Sequence, residues 1–423
     1  MSLMRVSAIK ETLYATDQAG DLFDRPYANG IGKIGSFAEP DKGQEGLDTL
    51  AEHVKRTLTA AGPELDETDA TPVVVLVHGF LFDPGKVIRP LPRENDNPHG
   101  RIYHFDQDTP AEEQRHHTTA WPLGLGFRKT DRIGTSGLAI AYGWQSQPGF
   151  ARSLLEHFQN FYARAYDCAE MSAWPLLQLM LRLVDTEPLK TRLAAKRIDI
   201  FAHSLGSRLV VRMLAELAKA ALNEPVNGVK PYKPAASSAC RRALERIGRV
   251  VILGGSEYCV EAQLLYQRLE RLGLLTVQAS PTDGDGPGPT FYNLVCREND
   301  VLDVLAENFG KRTFGNSQVI GHNGLGKRIG SPRWLDLSID SERLQTWLAA
   351  LPPGQTQDVA GDEPGAVWDH WYYYTYPGNM DFYRSILRQR GLWNLGRLRN
   401  GDVPDFPERR PIPEGVSTTI FGN

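Results

Sequence analysis

One serine in this chain stands where a predicted strand turns directly into a predicted helix. The segment 202–206 reads Ala-His-Ser-Leu-Gly, with a small residue two places before Ser204 and another two places after it. A sharp strand-to-helix turn requires small residues at these places and presents its central side chain at the head of the helix. An incidental serine in a plain strand-turn-helix is the alternative, but the flanking patterns favour Ser204 as a nucleophile that attacks a carbonyl carbon.

Such an attack creates an oxyanion, which needs two N–H donors. The N–H of Leu205 begins the predicted helix, where unpaired donors and the helix dipole favour negative charge. The segment 77–80, Val-His-Gly-Phe, ends another predicted strand, and its glycine permits a close approach of the backbone. A glycine turn after a strand is common by itself, but together with Ser204 it predicts that the N–H of Phe80 is the second donor.

The elements that would position these residues follow from short apolar runs, which are rich in β-branched residues. Such runs predict strands that are buried on both faces of a parallel sheet. They are Val73–Val77, Leu138–Tyr142, Ile198–Phe201, Val250–Leu253 and Phe291–Val295, with Trp334–Leu337 as a possible sixth. Helical patterns lie between them, most clearly over 153–183 and 205–222. This alternation predicts a protein of the α/β class.

The chain divides into three predicted parts: an N-terminal extension over 1–69, one α/β domain over 70–385, and an extended proline-rich tail over 386–423. Within the domain, residues 87–130 are expected to leave the pattern as an excursion over one end of the sheet. Whether this insertion is a lid stays open. Its histidines match no metal-ligand spacing, so we expect them in a solvated loop; they are His99, His104, His116 and His117.

Composition excludes several classes of function. The 423 residues carry a net charge of −4, so there is no basic field for nucleic acid. Four cysteines are too few for a disulfide framework or a zinc cluster. No run approaches the roughly 18 apolar residues of a membrane segment, and the first residues lack the apolar region of a secretory signal. We therefore expect a cytoplasmic protein, and the sequence leaves its oligomeric state open.

The two segments around Phe80 and Ser204 resemble the corresponding motifs of the α/β-hydrolase superfamily, particularly its bacterial lipase- and esterase-like members. The segment 140–146, Ile-Ala-Tyr-Gly-Trp-Gln-Ser, and the long helical pattern after it are similar to the fourth strand and next helix of that fold. The resemblance covers about residues 70–385, apart from the insertion. It implies an α/β-hydrolase fold, with a mostly parallel central sheet, helices on both faces and loop insertions.

In that family the catalytic residues follow the chain order nucleophile, acid, histidine, so the acid is expected beyond Ser204. The segment Asn-Asp-Val-Leu after the Phe291 strand is similar to the family's acid loop and makes Asp300 the predicted acid. Asp303 is close by, and Glu257 after the preceding strand is a second option. A simpler role for Asp300, as the cap of a helix that follows it, also stays open.

Two histidines follow Asp300 in the chain, His322 and His370. His322 precedes the last possible strand, whereas His370 follows it, as the family's histidine does; His370 is therefore the predicted base. Its aromatic neighbours would also suit a histidine buried in the core, and His322 remains the second option. His203 adjoins the nucleophile, and His78 belongs to the loop of the second donor.

The resemblance implies a serine hydrolase that cleaves a carboxylic ester, small or lipid-like, through Ser204, Asp300 and His370. The reaction would pass through an acyl-enzyme intermediate and would need no metal or organic cofactor. The same triad also serves thioesterases, amidases and peptidases. The alternative of another class is a non-catalytic binding protein on the same fold. The sequence does not define the physiological substrate or its acyl chain length.

Overall fold

A computed structural model of the chain describes most of its sheet, its helices and several connecting turns. The described residues are 3–9, 12–16, 22–28, 44–61, 65, 71–86, 96–105, 120–127, 137–147, 156–224, 234–276, 286–296, 306–314, 318–330, 333–339, 373 and 379–389. The predicted acid Asp300, its neighbour Asp303 and the predicted base His370 lie outside these residues.

The described strands form one sheet. In chain order they are β1 (Leu3–Ile9), β2 (Thr12–Thr16), β3 (Leu22–Ala28), β4 (Val73–Val77), β5 (Leu138–Trp144), β6 (Ile198–His203), β7 (Ile247–Leu253), β8 (Thr290–Val295) and β9 (Trp334–Ser338). Their order across the sheet is β3-β2-β1-β5-β4-β6-β7-β8-β9. Seven neighbouring strands run parallel, in the sheet order β1, β5, β4, β6, β7, β8 and β9. β2 pairs antiparallel with β1 and with β3. The chain therefore has the predicted α/β class and a mainly parallel sheet.

All six predicted strands are present as β4 to β9, and every residue of β4 to β8 is buried. Residues 1–69, expected as an extension, contribute three further strands to the same sheet. β1 pairs with β5 from Leu3 to Ala8. The apolar-run criterion missed β1 because Arg5 and Ser7 interrupt it. Both side chains have partners in the insertion, with the Arg5 guanidinium donating to a carbonyl oxygen there.

Helices cover both faces of the sheet. In chain order the described helices are α1 (Gln44–Ala61), α2 (Pro98–Arg101), α3 (Trp121–Gly124), α4 (Glu156–Asp185), α5 (Leu205–Ala221), α6 (Pro234–Arg246), α7 (Cys259–Arg271), α8 (Asn308–Phe314), α9 (Ile320–Asn323), α10 (Gly326–Ile329) and α11 (Asn379–Arg388). The predicted helices 153–183 and 205–222 correspond to α4 and α5. None of the helices in the described part of the chain is long and apolar enough to cross a membrane.

Alternate residues of the central strands belong to two separate hydrophobic cores, as expected for strands covered on both sides. Val73, Val75 and Val77 lie in the core that α1, α4, α5, α6 and α7 cover. Val74 and Leu76 lie in the second core, which includes residues of α3 and α11. The carboxyl ends of the parallel strands lie between these two layers at one edge of the sheet.

The described parts of the insertion pack into the second core. Trp121 is fully buried there, and the Tyr103 hydroxyl donates to the carbonyl oxygen of Leu76 at 3.0 Å. His99 and His104 are buried as well. The expectation of a solvated loop is therefore wrong for these two histidines, because the segment completes the core on this face. The other two histidines of the insertion lie outside the described residues.

Candidate active site

Ser204 lies at the junction of β6 and α5 in a strained backbone conformation. Its φ of 52° and ψ of −126° fall in a region that residues with a side chain rarely adopt. The Ser204 N–H donates to the carbonyl oxygen of Leu253 at 2.9 Å, and the Ser204 carbonyl accepts from the N–H of Ser207 at 2.9 Å. Such strain costs about 1–3 kcal/mol and persists where neighbouring bonds fix it. The predicted sharp turn is therefore present at Ser204.

Two glycines let the end of β4 approach this turn. A Cβ atom on Gly206 would lie 2.5 Å from the carbonyl oxygen of His78, and one on Gly79 would lie 2.7 Å from the Cβ of Ser204. Both distances are shorter than real side chains tolerate. Glycine is thus required at both places, and the loop after β4 lies directly against Ser204.

His78 fixes the orientation of the peptide group between Gly79 and Phe80. Its Nε2 accepts a hydrogen bond from the N–H of Trp144 at 2.9 Å, so the hydrogen of the neutral ring is on Nδ1, which donates to the Gly79 carbonyl at 2.8 Å. Burial lowers the pKa of His78 to about 3 and keeps the ring neutral. In a trans peptide the C=O and N–H point in opposite directions, so this bond also sets the direction of the Phe80 N–H.

The first predicted donor, Leu205, is the first residue of α5 and is fully buried. The first N–H groups of a helix have no acceptor within it, and the helix dipole adds partial positive charge there. Strain also marks the loop after β4, since Leu81 has a φ of 75°. Among the described residues, positive φ at non-glycine positions occurs at Leu81, Ser204 and Asn223. Two of these three residues, Leu81 and Ser204, therefore belong to this site.

On the other side of Ser204, the end of β7 brings in a second hydroxyl. Ser256 Oγ lies 3.2 Å from Ser204 Oγ, and both side chains are buried. The N–H of Ser256 also donates to the Ser204 carbonyl at 3.2 Å. The sequence analysis gave Ser256 no role, because a lone serine forms no motif. The sequence offered one indication of a role, which is that Ser256 follows β7, the strand next to the nucleophile strand β6.

Glu257, the second option for the acid, is instead bound to Arg208. Nη1 of Arg208 lies 3.2 and 3.3 Å from the two carboxylate oxygens, and the N–H of Tyr258 donates to one of them at 2.8 Å. Burial raises the pKa of the Glu257 carboxyl to about 7, and the Arg208 guanidinium opposes this shift. Arg208 also bonds Glu170 at 3.0 Å and lies over the ring of Tyr166. The lone pairs of Glu257 are therefore engaged in a structural ion pair.

His322, the second option for the base, forms a buried pair with Glu307. Its Nδ1 lies 3.0 Å from Glu307 Oε1, which also accepts from Nδ2 of Asn323 at 2.8 Å. The preceding Gly321 N–H donates to the carbonyl of Gly255 at 2.8 Å, next to Ser256. A carboxylate at Nδ1 is the arrangement in which Nε2 of a histidine serves as a general base. The sequence analysis missed Glu307 because it lies beyond the acid-loop motif.

Tyr373 is the described residue nearest to His370 in the chain, three positions after it. Its ring lies 6.1 Å from the ring of His203, the last residue of β6. A Cβ on Gly254 would lie 2.5 Å from Cε2 of Tyr373. Tyr373 itself therefore lies against the ends of β6 and β7, the strands that support Ser204 and Ser256.

An aromatic wall borders the loop after β4. The rings of Phe80 and Tyr162 are 6.2 Å apart, and Phe309 lies 5.5 Å from Tyr162 and 5.2 Å from Tyr166. Phe80, Tyr162 and Tyr166 are buried in the first hydrophobic core, and Phe309 packs against that core beside the loop of the Phe80 donor.

The described residues contain no group of three His, Cys, Asp or Glu side chains that could hold a metal ion. Comparison of the chain with models of known protein families and with curated protein sequences found no match. The geometry around Ser204 therefore carries the argument about function.

Proposed function

We propose that the protein is a serine hydrolase of the α/β-hydrolase fold that cleaves carboxylic esters. The observation that carries this proposal is the positive φ of Ser204, which lies at the junction between a buried parallel strand and a helix. The strained turn is what a nucleophile elbow requires. The position of its strand, between β4 with the second donor loop and β7, supports the same fold.

In this proposal Ser204 Oγ attacks the ester carbonyl carbon while a neutral histidine takes its proton. The N–H groups of Leu205 and Phe80 donate to the oxyanion that forms, and one such donor is worth about 10²–10³ in rate. Collapse of the intermediate expels the alcohol, which receives the proton from the imidazolium. Water activated by the same histidine then releases the acid from Ser204.

His370 is the proposed base and Asp300 the proposed acid, on the chain order of the resembled family. The placement of Tyr373 against the end of β6 supports a role for this part of the chain at the site. The competing assignment is His322 with Glu307, which follows the same chain order and already forms a bond at Nδ1. Experiment can separate the two histidines, because each can be removed alone.

The proposed substrate is a small or lipid-like ester with an apolar acyl chain, and the cytoplasm is the proposed location. Support for the apolar chain comes from the aromatic wall, in which Phe80 is both the donor residue and a ring contact of Tyr162. Thioesters and amides could react by the same steps, so an ester and a matched thioester and amide should be compared directly.

The test is labelling by a fluorophosphonate probe, followed by peptide mapping, on wild type and on Ser204→Ala, His370→Ala and His322→Ala. We expect labelling at Ser204 that is lost in Ser204→Ala, falls more than about 100-fold in His370→Ala, and stays within about threefold in His322→Ala. Ser385→Ala is the control, because this buried serine bonds a helix carbonyl at 2.7 Å within α11.

The reverse pattern for the two histidine variants would assign the base to His322 and the acid to Glu307. Folded wild-type protein that is neither labelled nor able to hydrolyse p-nitrophenyl esters would contradict the proposed function itself.

A further inference from the structure

A second buried hydroxyl lies beside the nucleophile. Ser204 Oγ is 3.2 Å from Ser256 Oγ, a distance at which either oxygen can be the donor of a hydrogen bond. Both side chains are buried, at 3% exposure for Ser204 and 1% for Ser256. A hydroxyl next to a nucleophile and shielded from water interacts more strongly than the same group in water would.

The direction of the hydrogen bond between the two serines follows from the proposed reaction. Ser204 donates its own hydrogen to the base when it acts as a nucleophile. Its oxygen then has lone pairs left to accept, and the Ser256 hydroxyl can donate to one of them.

Ser256 is held in this place from several sides. Its own N–H is bonded to the Ser204 carbonyl, and the next residue, Glu257, is fixed by Arg208 of α5, the helix that begins at the nucleophile. The carbonyl of Gly255 accepts from Gly321. A hydroxyl held by rigid neighbours contributes more to a reaction than a mobile one, because it needs no reorganisation when charge develops.

We propose that Ser256 is a positioning residue for Ser204. The inference rests on the proposed function. In the resting state the Ser256 O–H donates to Ser204 Oγ and directs the Ser204 O–H towards the base. When the base takes that proton and Oγ bonds to the carbonyl carbon, the Ser256 hydrogen bond stabilises the negative charge that develops on Oγ. No atom of Ser256 is transferred in the step.

The experiment compares wild type with Ser256→Ala, which removes the hydroxyl and little else, and with Ser256→Cys, which keeps a similar volume. The readouts are the rate of fluorophosphonate labelling at Ser204, kcat and KM for p-nitrophenyl butyrate, and Tm. A hydrogen bond to a group that gains charge is worth about 10- to 100-fold, so we expect that loss in kcat and labelling for Ser256→Ala, with KM within about twofold. Ser256→Cys should lose about three- to tenfold, because a thiol is a weak donor.

Ser256→Cys distinguishes a hydrogen bond from mere packing. If packing alone matters, Ser256→Cys labels at the wild-type rate, whereas loss of a positioning hydroxyl lowers the rate. The controls are Ser385→Ala and Tyr142→Phe, which remove buried hydroxyls that donate to the Phe382 and Ser172 carbonyls. Both controls should label within about twofold of wild type.

Ser256→Ala that labels and turns over at the wild-type rate would overturn the inference and leave the proposed function intact. Should Ser256→Ala fail to fold, a wild-type rate in Ser256→Cys overturns the inference. A wild-type protein that neither labels nor hydrolyses esters removes the proposed function, and the inference with it.

Discussion

Two strand ends flank Ser204, and they approach it with different chemistry. The end of β4 contacts Ser204 through its backbone. Gly79 lies against the Cβ of Ser204, and the neutral, buried His78 bonds the peptide group between Gly79 and Phe80. The end of β7 contacts Ser204 through a side chain, the hydroxyl of Ser256. The next residue, Glu257, forms a buried ion pair with Arg208. Close backbone packing therefore organises the end of β4, whereas a buried ion pair organises the end of β7.

This difference shows how one turn can be supported in two ways. A neutral, tightly packed loop places N–H donors where they need no charge to hold them, and it is sensitive to added atoms. The buried ion pair of Glu257 fixes the segment that carries the Ser256 hydroxyl. This arrangement is sensitive to loss of one partner, because an unpaired buried charge is costly. Removing atoms should therefore be worst at the end of β7, and adding atoms worst at the end of β4.

The largest effect is expected from Arg208→Met, which leaves Glu257 buried without its cation. Breaking a buried pair in this way costs about 3–5 kcal/mol in the free energy of unfolding. Urea denaturation of wild type and variant at pH 8, above the pKa of about 7 that Glu257 has beside Arg208, measures it. The double variant Arg208→Met/Glu257→Leu should recover much of the loss, since it removes the unpaired charge.

Arg212→Met is the matched control, one turn further along α5. Its guanidinium bonds Glu170 and Glu216 at 3.1 and 3.0 Å but is 28% exposed, so its loss should cost about 1 kcal/mol or less. Equal losses for Arg208→Met and Arg212→Met would show that charge does not organise the end of β7 as described.

Gly79→Ala tests the other side. The added methyl would lie 2.7 Å from the Cβ of Ser204, so the loop must retreat and take the Phe80 N–H with it. Loss of one oxyanion donor predicts a fall of about 10²–10³ in the rate of ester hydrolysis, with Ser204 still in place. Gly85→Ala in the same loop is the control, because its methyl would meet Asp83 and Ile9 at 3.2 and 3.3 Å. Wild-type hydrolysis by Gly79→Ala would refute the proposed donor role of this loop.

The same contrast separates what the sequence predicts well from what it does not. The strands β4 to β9 are predictable because each is a local apolar run buried on both faces. The turn at Ser204 is predictable because its requirements, small residues and a following helix, lie within a few positions. β1 was not predicted, since the partners that satisfy Arg5 and Ser7 are about 90 or more positions away, in the insertion.

The end of β7 was the least predictable part of the site for the same reason. Ser256 meets Ser204 across 52 positions of chain, and Glu257 meets Arg208 across 49. Nothing local in the sequence distinguishes an acid that orients a histidine from one that an arginine holds. Packing between distant segments decides that difference, and it also pairs Glu307 with His322. Asp300 and His370 remain predictions, because they lie outside the described residues.

The smallest predicted effect sharpens the comparison through pH. Burial lowers the pKa of His78 from 6.5 to about 3, so below pH 6.5 the unfolded chain binds a proton that the folded protein does not. Folding stability from this residue is therefore complete above pH 6.5 and is lost as pH falls towards 3. Between pH 7 and pH 5 the loss is about 2 kcal/mol.

His78→Gln removes this titration, so the free energy of unfolding of the variant should fall by about 2 kcal/mol less than that of wild type between pH 7 and pH 5. Urea denaturation at both pH values measures the difference in slope, whatever the stability of the variant at pH 7. His53, whose pKa burial also lowers, titrates in both proteins and cancels. Equal slopes would mean that His78 is not held neutral, and the orientation of the Phe80 N–H would then need another cause.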